Sequence, residues 1–180
     1  MKFHMRKLII KIMGLKAAAF VSAGFGLGYA PVASGTFGAL WGCVIVWAMT
    51  AAELTLAWQI AVCVALTLIS VPICGAGEKV FMKKDPGKVV ADEFLTFPIC
   101  MLGLYEEWMK PGNWWLMPMC FVVSRVMDIL KPFPAYRSQK LPGGLGITID
   151  DAIANIYALG ANWIIWTICK DSRLLNELFA

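Results

Sequence analysis

The chain has 180 residues, 59% of them hydrophobic and eight of them Trp, with a mean hydropathy of +0.69, far above the roughly half-apolar composition of soluble domains. The apolar residues come in uncharged blocks, which points to membrane helices and excludes the alternating pattern of a lipid-facing barrel. The net charge of +4 is small and flanks those blocks, as suits contact with anionic headgroups; it is no sign of nucleic-acid binding.

Residues 1–20 read as a basic interfacial arm. Leu8, Ile9, Ile12 and Met13 share the apolar side of a helix, with Lys7 and Lys11 four apart on the polar side. Lys11 and Lys16 interrupt the apolar stretch that a cleaved signal peptide requires. Residues 21–170 form the expected membrane-embedded domain and 171–180 a short polar tail. Within the domain, Gly35 to Ala52 predicts one spanning helix, and Leu54 to Gly77 a second, kinked by Pro72. Phe94 to Tyr105 predicts a short third. Trp114 to Leu130, with Trp114 and Trp115 as interfacial anchors, predicts a fourth, and Ala152 to Cys169 a fifth. The expected fold is all-α, a polytopic bundle of about five membrane-embedded helices plus the amphipathic arm.

Five crossings place the arm, the Glu78–Glu93 loop and the Arg125–Asp151 segment on one side. Those regions hold five, four and four of the 16 Lys and Arg, leaving only Lys110, Lys170 and Arg173 opposite. The positive-inside rule makes the crowded side cytoplasmic. Cys43, Cys63, Cys74, Cys100, Cys120 and Cys169 lie mostly inside apolar blocks without a Cys-x-x-Cys pair, and read as buried small hydrophobes. Gly24-x-x-x-Gly28 and Gly38-x-x-x-Gly42 suit close helix approach and permit a homodimer.

Three clusters fall on the basic side. The glycine-rich run Gly24 to Gly38 leads into the first helix, where backbone N–H groups and the helix dipole favour an anion. It lacks the Gly-Lys-Ser/Thr of a Walker loop and the preceding strand of a dinucleotide fingerprint. Asp92 and Glu93 open an apolar block; they suit a helix cap, yet two adjacent carboxylates at a membrane boundary favour a divalent cation. Arg125, Asp128 and Lys131 recur at intervals of three on one helix face. Pro132 and Pro134 stop that helix, Gly143, Gly144 and Gly146 turn the chain, and Asp150 is placed to cap the fifth helix with Asp151 in its first turn and Asn155 on the same face. Collecting these charges costs free energy, which favours a site over scattered caps. All-oxygen ligands, with His4 the sole His, point to Mg²⁺.

Together these clusters resemble the phosphatidylglycerophosphatase A family over roughly residues 22 to 160. The resemblance is carried by Gly24 to Gly38, Val90 to Glu93, and Arg125-x-x-Asp128-x-x-Lys131-Pro-x-Pro134 through Gly143-Gly144-x-Gly146 to Asp150-Asp151. The sequence departs from the family's pattern at Ser34, where Pro is usual, at Asn155, where Gly is usual, and in having no Gly soon after Glu93. The resemblance implies a bacterial inner-membrane enzyme, multi-pass, with a cytoplasmic active site. It would hydrolyse phosphatidylglycerophosphate to phosphatidylglycerol with Mg²⁺. Asp92, Glu93, Asp128, Asp150 and Asp151 are the expected metal ligands, and the four Asp the catalytic candidates. Arg125, Lys131, Gly35 and Thr36 would hold the phosphate.

Two rival readings are a Mg²⁺-dependent headgroup phosphotransferase, whose spaced run of Asp, Gly, Ala and Arg is missing, and a small cation transporter or channel. The latter needs ionisable groups near the bilayer midplane, whereas these gather at one interface. Cysteine-phosphatase chemistry is excluded because Cys120 and Arg125 are one residue too close.

Overall fold

The computed structural model describes residues 13–170. Most of the amphipathic arm and all of the 171–180 tail lie outside the described residues. Helix α1 (Met13–Ser22) leads through a 3₁₀ turn (Gly24–Tyr29) into α2 (Ser34–Ala51) and α3 (Leu56–Phe81). Then come α4 (Ala91–Thr96) with a 3₁₀ continuation (Phe97–Met101), α5 (Tyr105–Trp108), α6 (Leu116–Leu130), α7 (Ala135–Ser138) and α8 (Gly144–Lys170). Among the described residues the architecture is all-helical, as expected, without a strand.

Three helices, α2, α3 and α8, are long and apolar enough to cross a membrane. Two segments differ from the sequence expectation. Helix α6 has 15 residues, short of the about 20 that a straight crossing takes. Phe94–Tyr105 is not one helix. Pro98 lacks an N–H, Leu102 turns to extended backbone, and Gly103 follows at a φ of 77°, so the helix breaks into a 3₁₀ turn and then α5. The chain nevertheless passes from one end of the bundle to the other here: Glu93 lies beside Gly35 at the start of α2, and the Trp108 indole donates to Thr50 Oγ1 at its far end, 3.2 Å away.

The broken segment is the core rather than a lipid-facing rod. Phe97, Cys100, Met101, Leu104 and Tyr105 are fully enclosed by Val46 and Met49 of α2, Cys63 of α3, Leu116 and Cys120 of α6, and Ala158 and Trp166 of α8. Hydropathy cannot distinguish burial in protein from burial in lipid, since both demand apolar side chains. Non-helical backbone is tolerated in an apolar interior only if its polar groups find partners. Asn162 Nδ2 donates to the Cys100 carbonyl at 2.8 Å, the Trp163 indole to that of Leu102 at 3.0 Å, and Tyr105 Oη to that of Pro98 at 2.8 Å. The Gly103 N–H donates to Gln59 Oε1 at 3.3 Å.

Small residues let the bundle close on this core. A Cβ at Gly42 would lie 2.5 Å from that of Phe97, and one at Gly38 equally close to that of Val90. The start of α8 lies directly on α3, with Gly144 against the Val71 carbonyl and Ser70 Oγ 3.0 Å from Thr148 Oγ1. Cys63, Cys74, Cys100 and Cys120 are buried thiols, as the sequence suggested.

Candidate active site

Four elements converge at one end of the bundle: the first turn of α2, the head of α4, the last turns of α6 and the second turn of α8. Asp92 and Glu93 stand in the first turn of α4. Arg125 and Asp128 occupy successive turns of α6, and Lys131 closes that helix at a φ of 42°. Asp150 does not cap α8 and Asp151 is not in its first turn, contrary to the sequence expectation. With Gly143 at a φ of 60°, the chain turns early and α8 starts at Gly144. That extra helix carries both carboxylates inside, where each residue is 2% exposed.

The charged groups interlock. Arg125 Nη1 donates to Glu93 Oε2 at 2.5 Å, and its Nη2 lies 3.3 Å from Asp128 Oδ2. Lys131 Nζ donates to Asp150 Oδ2 and lies 3.6 Å from Asp128 and 3.8 Å from Asp151. Burial alone would lower the Lys131 pKa, but Asp151, the hydrogen bond to Asp150, and Asp128 together hold it above its ordinary value. Gln139 Nε2 also donates to Asp150 Oδ2, at 2.9 Å.

Five carboxylates thus face two cations, and the imbalance appears in unpartnered atoms. Asp92 Oδ1, Asp128 Oδ1, Asp150 Oδ1 and Asp151 Oδ2 are buried without a hydrogen-bond partner, and so is the donor Arg125 Nε. Buried polar groups are normally satisfied, and unsatisfied ones are costly. Among the described residues no three or more acidic, His or Cys side chains already form a metal shell, because Arg125 and Lys131 lie between them. The orphaned oxygens are still the hard, anionic donors that suit Mg²⁺. The residues therefore fit a divalent cation once their side chains turn toward one.

The glycine-rich run reaches this cluster at Gly35, where a Cβ would collide with the Glu93 carboxylate. Thr36 follows with an exposed side chain, and Ser34 Oγ donates to the Gly87 carbonyl at 2.7 Å, fastening the α3–α4 loop to the start of α2. The structure thus brings together Gly35, Asp92, Glu93, Arg125, Asp128, Lys131, Asp150 and Asp151, and leaves Thr36 at the rim.

Sequence reasoning missed Gln139, which no motif marked. It also missed Asp85, which lines a small recess beside Asp150 with Lys84 and Gln139. The Asp85-Pro-Gly turn signal was the only hint.

Comparison with known proteins bears on this arrangement. A family model described as "Phosphatidylglycerophosphatase A" matches residues 20–166. The chain is similar to the Escherichia coli protein of that name, at 30% identity over 148 residues covering 81% of each chain. It is 33% identical to the Haemophilus influenzae protein of the same name over 153 residues, covering 83% of this chain and 88% of that one. A Bacteroides thetaiotaomicron protein named "Putative phosphatidylinositol-3-phosphatase" is 30% identical over 154 residues, 81% of this chain and 93% of that one. No solved structure matches significantly.

Proposed function

The chain belongs to the phosphatidylglycerophosphatase A family, and we propose that it hydrolyses the terminal phosphate of phosphatidylglycerophosphate to give phosphatidylglycerol in a Mg²⁺-dependent reaction. As a member of that family it is a phosphatase; the metal, the residues that hold it and the topology are our reading. The carrying observation is the set of buried, unpartnered atoms on Asp92, Asp128, Asp150, Asp151 and Arg125 at one end of the bundle.

Asp92, Asp128, Asp150 and Asp151 would hold Mg²⁺ through those oxygens, with Glu93 beside them. When bound there, the ion would supply charge neutralisation for the phosphate and a lowered pKa for a bound water. The free Arg125 Nε–H is a ready donor to a phosphate oxygen, and the Nη groups already held by Glu93 and Asp128 fix the plane of the guanidinium. Lys131 adds a point charge, while Gly35 lets the α2 N-terminus approach and Thr36 offers a hydroxyl at the rim. Asp92, which makes no ion pair among the described residues, is the carboxylate best suited to take a proton from the attacking water.

The topology supports a cytoplasmic site in the bacterial inner membrane. We read α2, α3, the broken 91–108 segment, α6 and α8 as five passages among the described residues, of which the broken segment and α6 depart from a straight, full-length helix. The acidic cluster lies at one end rather than along a path, which supports the phosphatase over a transporter.

The test is phosphate release by the purified protein from phosphatidylglycerophosphate, with Mg²⁺ or chelator, beside phosphatidylinositol 3-phosphate, which the Bacteroides relative's name suggests. Release from the glycerol lipid that stops with chelator supports the reading. Preference for the inositol lipid, or activity indifferent to chelator, overturns the substrate or the metal respectively.

A further inference from the structure

The charged site residues arrive on three helices, α4, α6 and α8, and one buried side chain ties all three. Asn155 of α8 is 1% exposed. Its Oδ1 accepts from Ser124 Oγ of α6 at 2.6 Å, and its Nδ2 donates to Thr96 Oγ1 of α4 and to the Asp151 carbonyl, both at 3.0 Å. Thr96 Oγ1 in turn donates to the Asp92 carbonyl at 2.7 Å. Each contact falls next to a site residue: Ser124 precedes Arg125, Thr96 is one turn after Asp92, and Asn155 is one turn after Asp151.

The chain of donors has one direction. Thr96 spends its only proton on the Asp92 carbonyl, so it can only accept from Asn155, and the Asp151 carbonyl has no proton at all. A flipped amide would set its oxygen against both acceptors. The orientation is therefore fixed, and in an apolar interior such a satisfied network resists displacement.

We infer that Asn155 is a positioning residue, holding α4, α6 and α8 in the register that sets Asp92, Arg125 and Asp151 around one substrate phosphate. The inference rests on the functional reading above. Misplacement of reacting groups by about 1 Å costs on the order of a hundredfold in rate, so the cross-link acts on turnover more than on binding.

Wild-type protein and the Asn155→Ala, Ser124→Ala, Ser124→Thr and Asn155→Ala/Ser124→Ala variants are compared in detergent. The measurements are kcat and KM on phosphatidylglycerophosphate, Tm in chelator, and the rise in Tm on adding Mg²⁺. The two single alanine variants should lose about ten- to a hundredfold in kcat with KM nearly unchanged, and a smaller Mg²⁺-induced rise in Tm. The double variant should be no worse than either single one, because they break one unit. Ser124→Thr, which keeps the hydroxyl, should retain activity. Turnover and Mg²⁺ response equal to wild type in Asn155→Ala overturn the inference, and so does a fall in Tm with normal turnover of the folded fraction. If Asn155→Ala does not fold, Ser124→Ala decides by the same criteria. A wild type that neither releases phosphate nor responds to Mg²⁺ sinks the functional reading and this inference together; an active wild type with unaffected variants sinks this inference alone.

Discussion

The Arg125 guanidinium meets the Glu93 carboxylate at 2.5 Å across 32 residues of sequence, with both side chains nearly enclosed at 11% and 15% exposure. This pair fastens α6 to the head of α4 and holds the guanidinium whose Nε–H we propose as a donor to the phosphate. Replacing Arg125 with Ala strands buried carboxylates, at a cost of about 3–5 kcal/mol. Arg125→Lys keeps the charge but loses the planar fork, so the protein should fold while kcat/KM falls by about a hundredfold. Thermal unfolding and phosphate release on the two variants separate these effects; equal activity of Arg125→Lys and wild type would remove Arg125 from phosphate recognition.

Asp92→Asn and Asp151→Asn should move stability and activity in opposite directions. Each removes one member of a group of buried like charges, so Tm in chelator should rise, by ~2–4 °C for each kcal/mol relieved in a chain this size. Phosphate release should fall by about a hundredfold or more as an anionic ligand is lost. Scanning calorimetry and a release assay read both signs. A lower Tm would mean that the carboxylates serve the fold.

Gly35→Ala offers a test by sign. In an exposed helix the change is favourable by about 0.5–1 kcal/mol. Here the new methyl lands on the Glu93 carboxylate, which must swing away and loosen Arg125. We expect lower Tm and reduced turnover together, measured on the purified variant; a stabilised, fully active protein would show that α2 does not press on the site.

Asn162→Leu removes the donor to the Cys100 carbonyl, deep in the broken segment. Leaving a buried carbonyl unpaired costs about 1–3 kcal/mol. The loss should appear in denaturant or thermal unfolding, with KM unchanged because the contact lies away from the charged cluster.

The sequence was most legible where charge interrupts apolar runs. Asp92, Glu93, Arg125, Asp128, Lys131, Asp150 and Asp151 stand out because ionised groups beside lipid are too costly to be incidental, and the structure gathers all of them. The helices α2 and α3 follow the apolar blocks within a few residues. What could not be read was the inside of the bundle. Phe94–Tyr105 looks like a short span because a core segment and a lipid-facing helix need the same side chains. The turn at Gly143 concealed that α8 begins six residues before Asp150, which turned an expected cap into an enclosed pair. Ser124, Thr96 and Asn155 carry no charge, and only their meeting in three dimensions gives them a role.

The broken 91–108 segment also constrains how the protein can be made. The backbone groups that the break leaves outside helical hydrogen bonding are met by Gln59, already synthesised when the segment emerges, but also by Asn162 and Trp163, which leave the ribosome about 60 residues later. Until then the segment has no stable resting place in hydrocarbon. Assembly of the site is therefore a late step of biogenesis that waits on α8, and chains halted before Asn162 should present this stretch to quality-control proteases while longer ones do not.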